Sequence, residues 1–448
     1  MKTRKETNKA FSQVREACAK FGKRHASSLR NLRSPFALAA QRGIEQKSFS
    51  SGAKKGDECF QVLDLFCGCG GMSLGFAAVG RLTPSFRIIG GCDIDRDAAD
   101  TFSTNLAAPG IVQDVCDLAG DKRALGHFLD GLDGYDSSKP LVLIGCAPCQ
   151  GFTSHRKKNW HQSDKRNDLV SEFARVASKL RPECVIMENV PELLGKKYWK
   201  HFEAFRNTLG KRGYTVKQAI YNAAAFGVPQ ERYRAIVIAM RCDFLLPSPT
   251  LKKHRYVTVR EAIGDLPAVE PGETHPSDHL HRSARHREST LEVIRQVPKD
   301  GGSRPFGVGP ECLDRVKGFY DVYGRLNWDR PAITITHYAR NPASGRYIHP
   351  EQDRGLSARE AAILQSFPVS YEFKGSFDSI FRQIGEAVPP KFSAALAAMV
   401  LIEMLSGPPE ESDVRKSVVG IEKPVSSSFS SVIAGRKIAG VSHGVYLH

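Results

Sequence analysis

Short apolar runs alternate with amphipathic stretches through the first half of the chain. Residues 60–66, 87–92, 141–144 and 183–188 are each dense in Val, Ile, Leu, Met or Phe and are closed by Gly, Pro, Asp or Asn. Runs of that length with those flanks predict buried strands. Between them, apolar residues at helical spacing predict helices beginning at Met72 and covering 98–106, 169–180 and 199–209. Strand alternating with helix is the pattern of an α/β domain with a parallel sheet. Residues 214–221 and 235–240 add two strands, separated by the turn Phe226-Gly227-Val228-Pro229. From about 241 to 327 Pro, Gly, His and Arg dominate, and only 259–263 and 291–296 read as regular. Order resumes near Asp329, with a helix over 358–365 and a long apolar helix ending near Leu405.

This pattern divides the chain into a large domain over 58–243 and 328–407, interrupted by a small, loop-rich segment at 244–327. Residues 1–57 are a basic N-terminal extension, in which Phe11, Val14, Cys18 and Phe21 fall at helical spacing. Residues 408–448 are rich in Ser and poor in periodicity and are expected to be a flexible tail. Both termini are expected to be accessory.

Composition narrows the class. The chain has 448 residues, of which 41% are hydrophobic and 25% charged, as in an ordinary globular protein, and no apolar run is expected to span a membrane. The net charge of +16 suits a polyanionic partner, with nucleic acid the first candidate. Eleven cysteines without a framework of short loops suggest free thiols in a reducing cytoplasm. The Arg- and Ser-rich N-terminus also has the composition of a transit peptide, but an unprocessed bacterial extension is the preferred reading. Cys67, Cys69, Cys146 and Cys149 could supply four thiolates, but no His stands at ligand spacing, and no metal is expected.

The candidate chemistry sits where the predicted strands end, which is where open α/β sheets carry ligands. Strand 60–66 runs into Cys67-Gly68-Cys69-Gly70-Gly71 and then a helix, a turn in which glycine lets the backbone approach a ligand. The next strand ends Asp93-Ile94-Asp95, where an acid can accept from a ribose diol, and the third ends Gln113-Asp114-Val115, where one can accept from an adenine amino group. Together these suggest an adenosine-containing cofactor. Strand 141–144 breaks at Gly145 and leads through Cys146-Ala147-Pro148 to Cys149, followed by a loop crowded with Arg and Lys. Positive charge raises the thiolate fraction of a cysteine, so Cys149 is a candidate nucleophile, with a redox pair as the alternative. Glu188 and Asn189 end the fifth strand, and Gln230, Arg232 and Arg234 fall on one face if a strand runs through them.

Taken in order, these residues resemble the DNA cytosine-5 methyltransferase family over about three quarters of the chain. Asp64-Leu-Phe66-Cys-Gly68-Cys-Gly70-Gly71 resembles its cofactor loop, and Pro148-Cys149-Gln150 its catalytic motif. Glu188-Asn189-Val190 and Gln230-x-Arg232-x-Arg234 resemble its base-binding motifs. Arg330-Pro331-Ala-Ile-Thr334 resembles the motif that organises its recognition domain, and Gln383-Ile-Gly385-Glu386-Ala-Val388 the motif that returns to the cofactor pocket. One residue departs from the family pattern: Glu386 stands where Asn is usual.

The resemblance implies a Rossmann-like, S-adenosylmethionine-dependent methyltransferase sheet with an inserted target-recognition domain. It implies methyl transfer to carbon 5 of a cytosine flipped out of duplex DNA, through a covalent Cys149 adduct. Glu188 would bind ring nitrogen 3 and the amino group, Arg234 with Arg232 the carbonyl oxygen and nearby phosphate, and Asn189 would orient the loop around Pro148. Phe66, Gly68, Gly70, Gly71, Asp93, Ile94, Asp114, Val115, Pro148, Glu386 and Val388 would form the cofactor site. A monomer is expected, bacterial and cytoplasmic, with a restriction endonuclease as a possible partner. A tRNA methyltransferase and a turnover-free DNA-binding protein on the same fold are the rival readings.

Overall fold

The computed structural model describes residues 13, 14, 16, 27–45, 49–50, 52–148, 168–195, 198–315 and 321–410. The expected tail from 411 onward, the candidate nucleophile Cys149 and the basic loop 151–167 lie outside the described residues.

The alternating pattern folds into seven strands: β1 (Phe60–Leu65), β2 (Phe86–Asp93), β3 (Gly110–Val112), β4 (Leu141–Gly145), β5 (Cys184–Asn189), β6 (Thr215–Asn222) and β7 (Tyr233–Met240). Their order is β3-β2-β1-β4-β5-β7-β6. The first five are parallel, and β7 runs antiparallel between β5 and β6. The chain order reverses between β1 and β4, and at such a switch point the loops diverge and leave a crevice at the strand ends. Leu65 pairs with Cys92 on one side and Gly145 on the other. The three exits that follow, at Phe66, Asp93 and Cys146, therefore lie side by side.

The helices, in chain order, are α1 (Arg33–Gly43), α2 (Gly71–Leu82), α3 (Arg96–Leu106), α4 (Val115–Gly120), α5 (Lys122–Asp130), α6 (Leu169–Leu180), α7 (Trp199–Gly210), α8 (Val259–Ile263), α9 (Glu288–Arg295), α10 (Cys312–Arg315), α11 (Ala358–Leu364), α12 (Phe377–Glu386) and α13 (Pro390–Leu405). Both faces of the sheet are covered. Val62, Val142, Ile144, Ile186, Ile236 and Ile238 pack with α1, α2 and α13 on one face. Leu63, Leu143, Val185, Met187 and Val237 pack with α6 and α7 on the other. This alternation along each strand fixes which face every end-of-strand residue projects from.

The stretch Phe377–Leu405 has the length and hydropathy of a membrane span, contrary to the expectation that no such run exists. It is split at Ala387–Pro389, and α13 is apolar all round because it is enclosed by the sheet face, α1 and α2.

The N-terminal extension is only partly accessory. Residues 27–43 pack on α13, where buried Glu403 meets Arg30 Nε at 3.2 Å and Arg33 Nε at 3.6 Å. The Leu245 N–H also donates to Glu403, over 3.0 Å. Charge patterning near an N-terminus suggests a solvated arm. Here the arginines instead serve a single buried carboxylate that a distant helix supplies.

Between β7 and α11 the chain is loop-rich, and among the described residues no packing boundary falls at 327. Val293, Ile294, Val297, Val322 and Tyr323 share a small cluster with Ile348. Arg325, fully buried, donates to the carbonyls of Val297, Ile294, His349 and Gln352. Val259, Ile263 and Leu280 pack instead with the main core.

Candidate active site

Glu188 is the centre of the first half of the candidate site. It is the fifth residue of β5 and only 3% exposed. On the neighbouring parallel strand Gly145 pairs with Met187, which places Cys146, just beyond β4, beside Glu188. On the other side Glu188 pairs with Ile236, which makes Arg234 its diagonal neighbour on the same face. The side chains meet accordingly. The Cys146 thiol donates to Glu188 Oε2 over 2.7 Å, and Arg234 Nε lies 2.7 Å from Oε1. That ion pair is close but not aligned as a hydrogen bond, which leaves Oε1 a buried acceptor. Such an atom is costly to leave unserved and suits a ligand that brings a donor.

Asn189 turns the other way. Its side-chain amide donates to Ala147 O over 3.1 Å, and its Oδ1 accepts from Val190 N over 2.9 Å. It thereby ties the Ala147-Pro148 turn to the end of β5.

Arg232 does not join Arg234. It is 1% exposed and donates to the carbonyls of Ile335 (2.9 Å), Gly385 (3.0 Å) and Ala387 (3.1 Å). Gln230 is likewise occupied, donating to Leu364 O and accepting from Ile335 N. The expected one-faced clamp fails because β7 begins only at Tyr233. Two-residue periodicity does not extend back through 230–232, where the chain follows the returning segment instead. Arg232 therefore fastens the returning segment to the sheet, and Arg234 alone reaches Glu188.

The second half of the site surrounds the exit of β1. Phe66 adopts φ 56° and Gly70 φ 86°, so the chain reverses sharply before α2. Gly68 has φ +51°, and a Cβ placed there would meet nothing within 4 Å. The Gly68 N–H donates to Asp93 Oδ2 over 2.9 Å, and Asp95 N to Oδ1 over 3.0 Å. The Ile94 N–H also acts on this carboxylate, so the backbone takes up most of its roughly four acceptor positions without exhausting them. Burial pushes the Asp93 carboxyl above its ordinary range. Ile94, next in sequence, is 72% exposed, an apolar platform at a strand end. Asp114 is exposed and caps α4 by accepting from Cys116 N over 2.8 Å.

The remaining expected cofactor residues differ in exposure and packing. The Val115 side chain is buried in the core beneath α6. Val388 is also buried, and a Cβ on Gly71 would lie 2.3 Å from its carbonyl oxygen. Gly71 is therefore small so that the returning segment can pack against the glycine turn. Glu386 is exposed at the end of α12, near enough for its charge to act on Cys69. Pro148 is half-buried, next to Cys149.

Two further residues belong to the site. Cys146 is marked in the sequence only as half of a C-x-x-C pair, because its contact with Glu188 depends on strand register. Asp64, on β1, is fully buried, and burial pushes its carboxyl up to about 7 while the Ser73 hydroxyl, donating over 2.6 Å, pulls it back. Its signal in the sequence is an acid within an apolar strand just ahead of a glycine turn. The Cys67 and Cys69 thiols are buried and pushed upward by that burial, which disfavours their thiolates.

The family model for the C-5 cytosine-specific DNA methylase matches residues 60–401. The type II methylase M.HgiDII of Herpetosiphon aurantiacus is 32% identical over 348 residues, covering 76% of this chain and 94% of that protein. The type II methyltransferase M1.HphI of Haemophilus parahaemolyticus is 34% identical over 340 residues, covering 76% and 86% respectively. Among solved structures, one described as a DNA modification methyltransferase encoded within an E. coli prophage superposes with a TM-score of 0.59 at 22% identity. That superposition covers 77% of this chain and 99% of the other, and supports the fold. With a parallel sheet reversing at the β1–β4 crevice and the family match running from β1 into α13, the chain belongs to the C-5 cytosine-specific DNA methylases.

Proposed function

We propose that this DNA cytosine methyltransferase acts on a flipped-out cytosine through a Cys149 adduct, with S-adenosylmethionine bound at the glycine turn. The observation that carries the reading is the buried Glu188 carboxylate, held between Cys146 and Arg234 with Oε1 available as an acceptor.

The residues at the β1 and β2 exits fit the cofactor. Open space at Gly68 admits close approach, Asp93 retains acceptor capacity for a ribose diol, and exposed Ile94 offers an apolar surface to adenine. Exposed Asp114 would accept from the adenine amino group. S-adenosylmethionine supplies its methyl as an electrophilic substituent on sulfonium sulfur.

In this reading the Glu188 carboxylate takes up a proton from solvent as the base binds; the Cys149 thiolate forms a bond to carbon 6 of cytosine, and Glu188 gives that proton to ring nitrogen 3 as charge develops there. The ring becomes an enamine whose carbon 5 would take the methyl as its bond to sulfur breaks, the sulfonium leaving as a neutral thioether. A base then removes the carbon-5 proton, the sulfur–carbon bond breaks, the thiolate leaves, and the nitrogen-3 proton returns to Glu188. Arg234 keeps positive charge beside Glu188 and the base carbonyl. A stacked base is out of reach of Glu188, so the target must leave the duplex. The basic loop 151–167 would then meet phosphates, and the loop-rich segment after β7 would read the sequence. A restriction endonuclease acting on the same site is the expected functional partner.

Bisulfite sequencing of plasmid DNA from a bacterial host expressing the chain tests this reading. Protected cytosines in one sequence context, absent with Cys149→Ala and with Glu188→Gln, are expected. Equal protection by Cys149→Ala would remove the covalent mechanism.

A further inference from the structure

We propose that Cys146 is a positioning residue for methyl transfer, which keeps Glu188 from closing onto Arg234. This rests on the assignment of Glu188 to the target base. The thiol donates to Oε2 over 2.7 Å, and the Arg234 guanidinium approaches Oε1 from the other side at 2.7 Å. An arginine beside a carboxylate tends toward the two-pronged arrangement, in which both oxygens accept from one guanidinium. Here the two oxygens are divided between two donors from two flanking strands. The division is built into the sheet, because Cys146 follows the Gly145–Met187 pair of β4 and β5 while Arg234 lies diagonally across the β5–β7 ladder.

The consequence concerns the oxygen left for the base. The last torsion of a glutamate is broad, so its carboxyl plane is set by its partners. With Oε2 held by the thiol, the plane is fixed and Oε1 stays a buried acceptor without an aligned donor. A cytosine amino group is a donor that could fill it. Without the thiol, the carboxyl is free to rotate into a two-pronged pair with Arg234, and the base would have to break that pair to bind. Cys146 thus acts through Glu188 and does not touch the reacting atoms.

The test measures methyl transfer from labelled S-adenosylmethionine to a plasmid carrying the target site, in the full chain. Wild type, Cys146→Ala, Cys146→Ser, Glu188→Gln and the double variant Cys146→Ala/Glu188→Gln are compared. Losing one charge-assisted hydrogen bond predicts a fall in kcat of about tenfold for Cys146→Ala, with KM for DNA and for cofactor within about twofold of wild type. Cys146→Ser retains a donor and should recover most of the rate. In the Glu188→Gln background, Cys146→Ala should cost nothing further, since the two residues act as one unit. Cys146→Val keeps bulk without the donor, and replaces the alanine variant should that fail to fold. Full activity of Cys146→Ala or Cys146→Val, no recovery by serine, or multiplicative losses in the double variant would each overturn the proposal. Wild-type turnover by Glu188→Gln would instead overturn the assignment of Glu188.

Discussion

Gly71→Ala separates the packing role of the glycine turn from its ligand role. A Cβ at this position would lie 2.3 Å from Val388 O and 3.3 Å from both Ala387 Cβ and the Phe367 ring. Relief therefore requires the backbone at the α12–α13 junction to move by about 1 Å, since overpacked groups in a filled interior must displace their neighbours. That backbone is held by Arg232, which donates to Gly385 O and Ala387 O, and by Gln365, which donates to Ile384 O and Ala387 O. Overpacking of this kind costs about 1–3 kcal/mol, and the better helix propensity of Ala returns up to about 1 kcal/mol. The 2.3 Å approach to a backbone oxygen puts the cost in the upper half of that range, so the net expectation is a loss of about 1–2 kcal/mol in urea unfolding, together with weaker S-adenosylmethionine binding by calorimetry as the returning segment shifts. Gly68→Ala is the comparison. Its methyl group meets nothing within 4 Å, so only the left-handed backbone at φ +51° is penalised, by about 1 kcal/mol. Cofactor affinity should fall at least as far as for Gly71→Ala, because the methyl enters the open space assigned to the ligand. Wild-type stability in Gly71→Ala would refute the packing argument, and wild-type affinity in Gly68→Ala would refute the cradle.

Two further outcomes follow from buried charge. Glu403→Ala leaves Arg30 and Arg33 buried beside a lost partner, and should cost about 3 kcal/mol or more by chemical denaturation; a loss under about 1 kcal/mol would mean that residues 27–43 are dispensable to the core. Asp64, raised to about 7 in the fold from an ordinary 3.8, keeps more protons folded than unfolded, so it removes stability as pH rises from about 4 to 7. Asp64→Asn should therefore gain on wild type by a few kcal/mol between pH 4 and 8 in paired thermal melts, whereas parallel pH profiles would show that Asp64 titrates alike folded and unfolded.

Much of the frame is legible from pattern alone. Helix α6 spans the 169–180 expected from apolar spacing, α8 spans 259–263, and the strands fall within about two residues of the apolar runs. These elements are set by local periodicity, and their flanking Gly, Pro and Asp residues mark where each must end. Helix α12 is less visible, because a short amphipathic turn followed by Ala387-Val388-Pro389 reads as a loop entering a longer helix. Helices α4 and α5 are also missed, each being only a few turns long with acids as caps.

The sequence by itself determined the order of strands and helices, the glycine turn, the end-of-strand acids and the resemblance that joins them. Only the tertiary structure decided how these groups are used. Arg232 and Arg234 are two residues apart and alike in sequence, yet one is bound to backbone carbonyls of the returning segment and the other faces Glu188. Gly68 and Gly71 belong to one turn, yet one is open and the other is pressed against Val388. Arg30 and Arg33 fall in an extension that reads as accessory until Glu403, more than 350 positions away, is brought beneath them. In each case the local chain sets what a residue can do, but its partner comes from a distant segment through strand register and helix packing, and short-range periodicity carries no record of that partner.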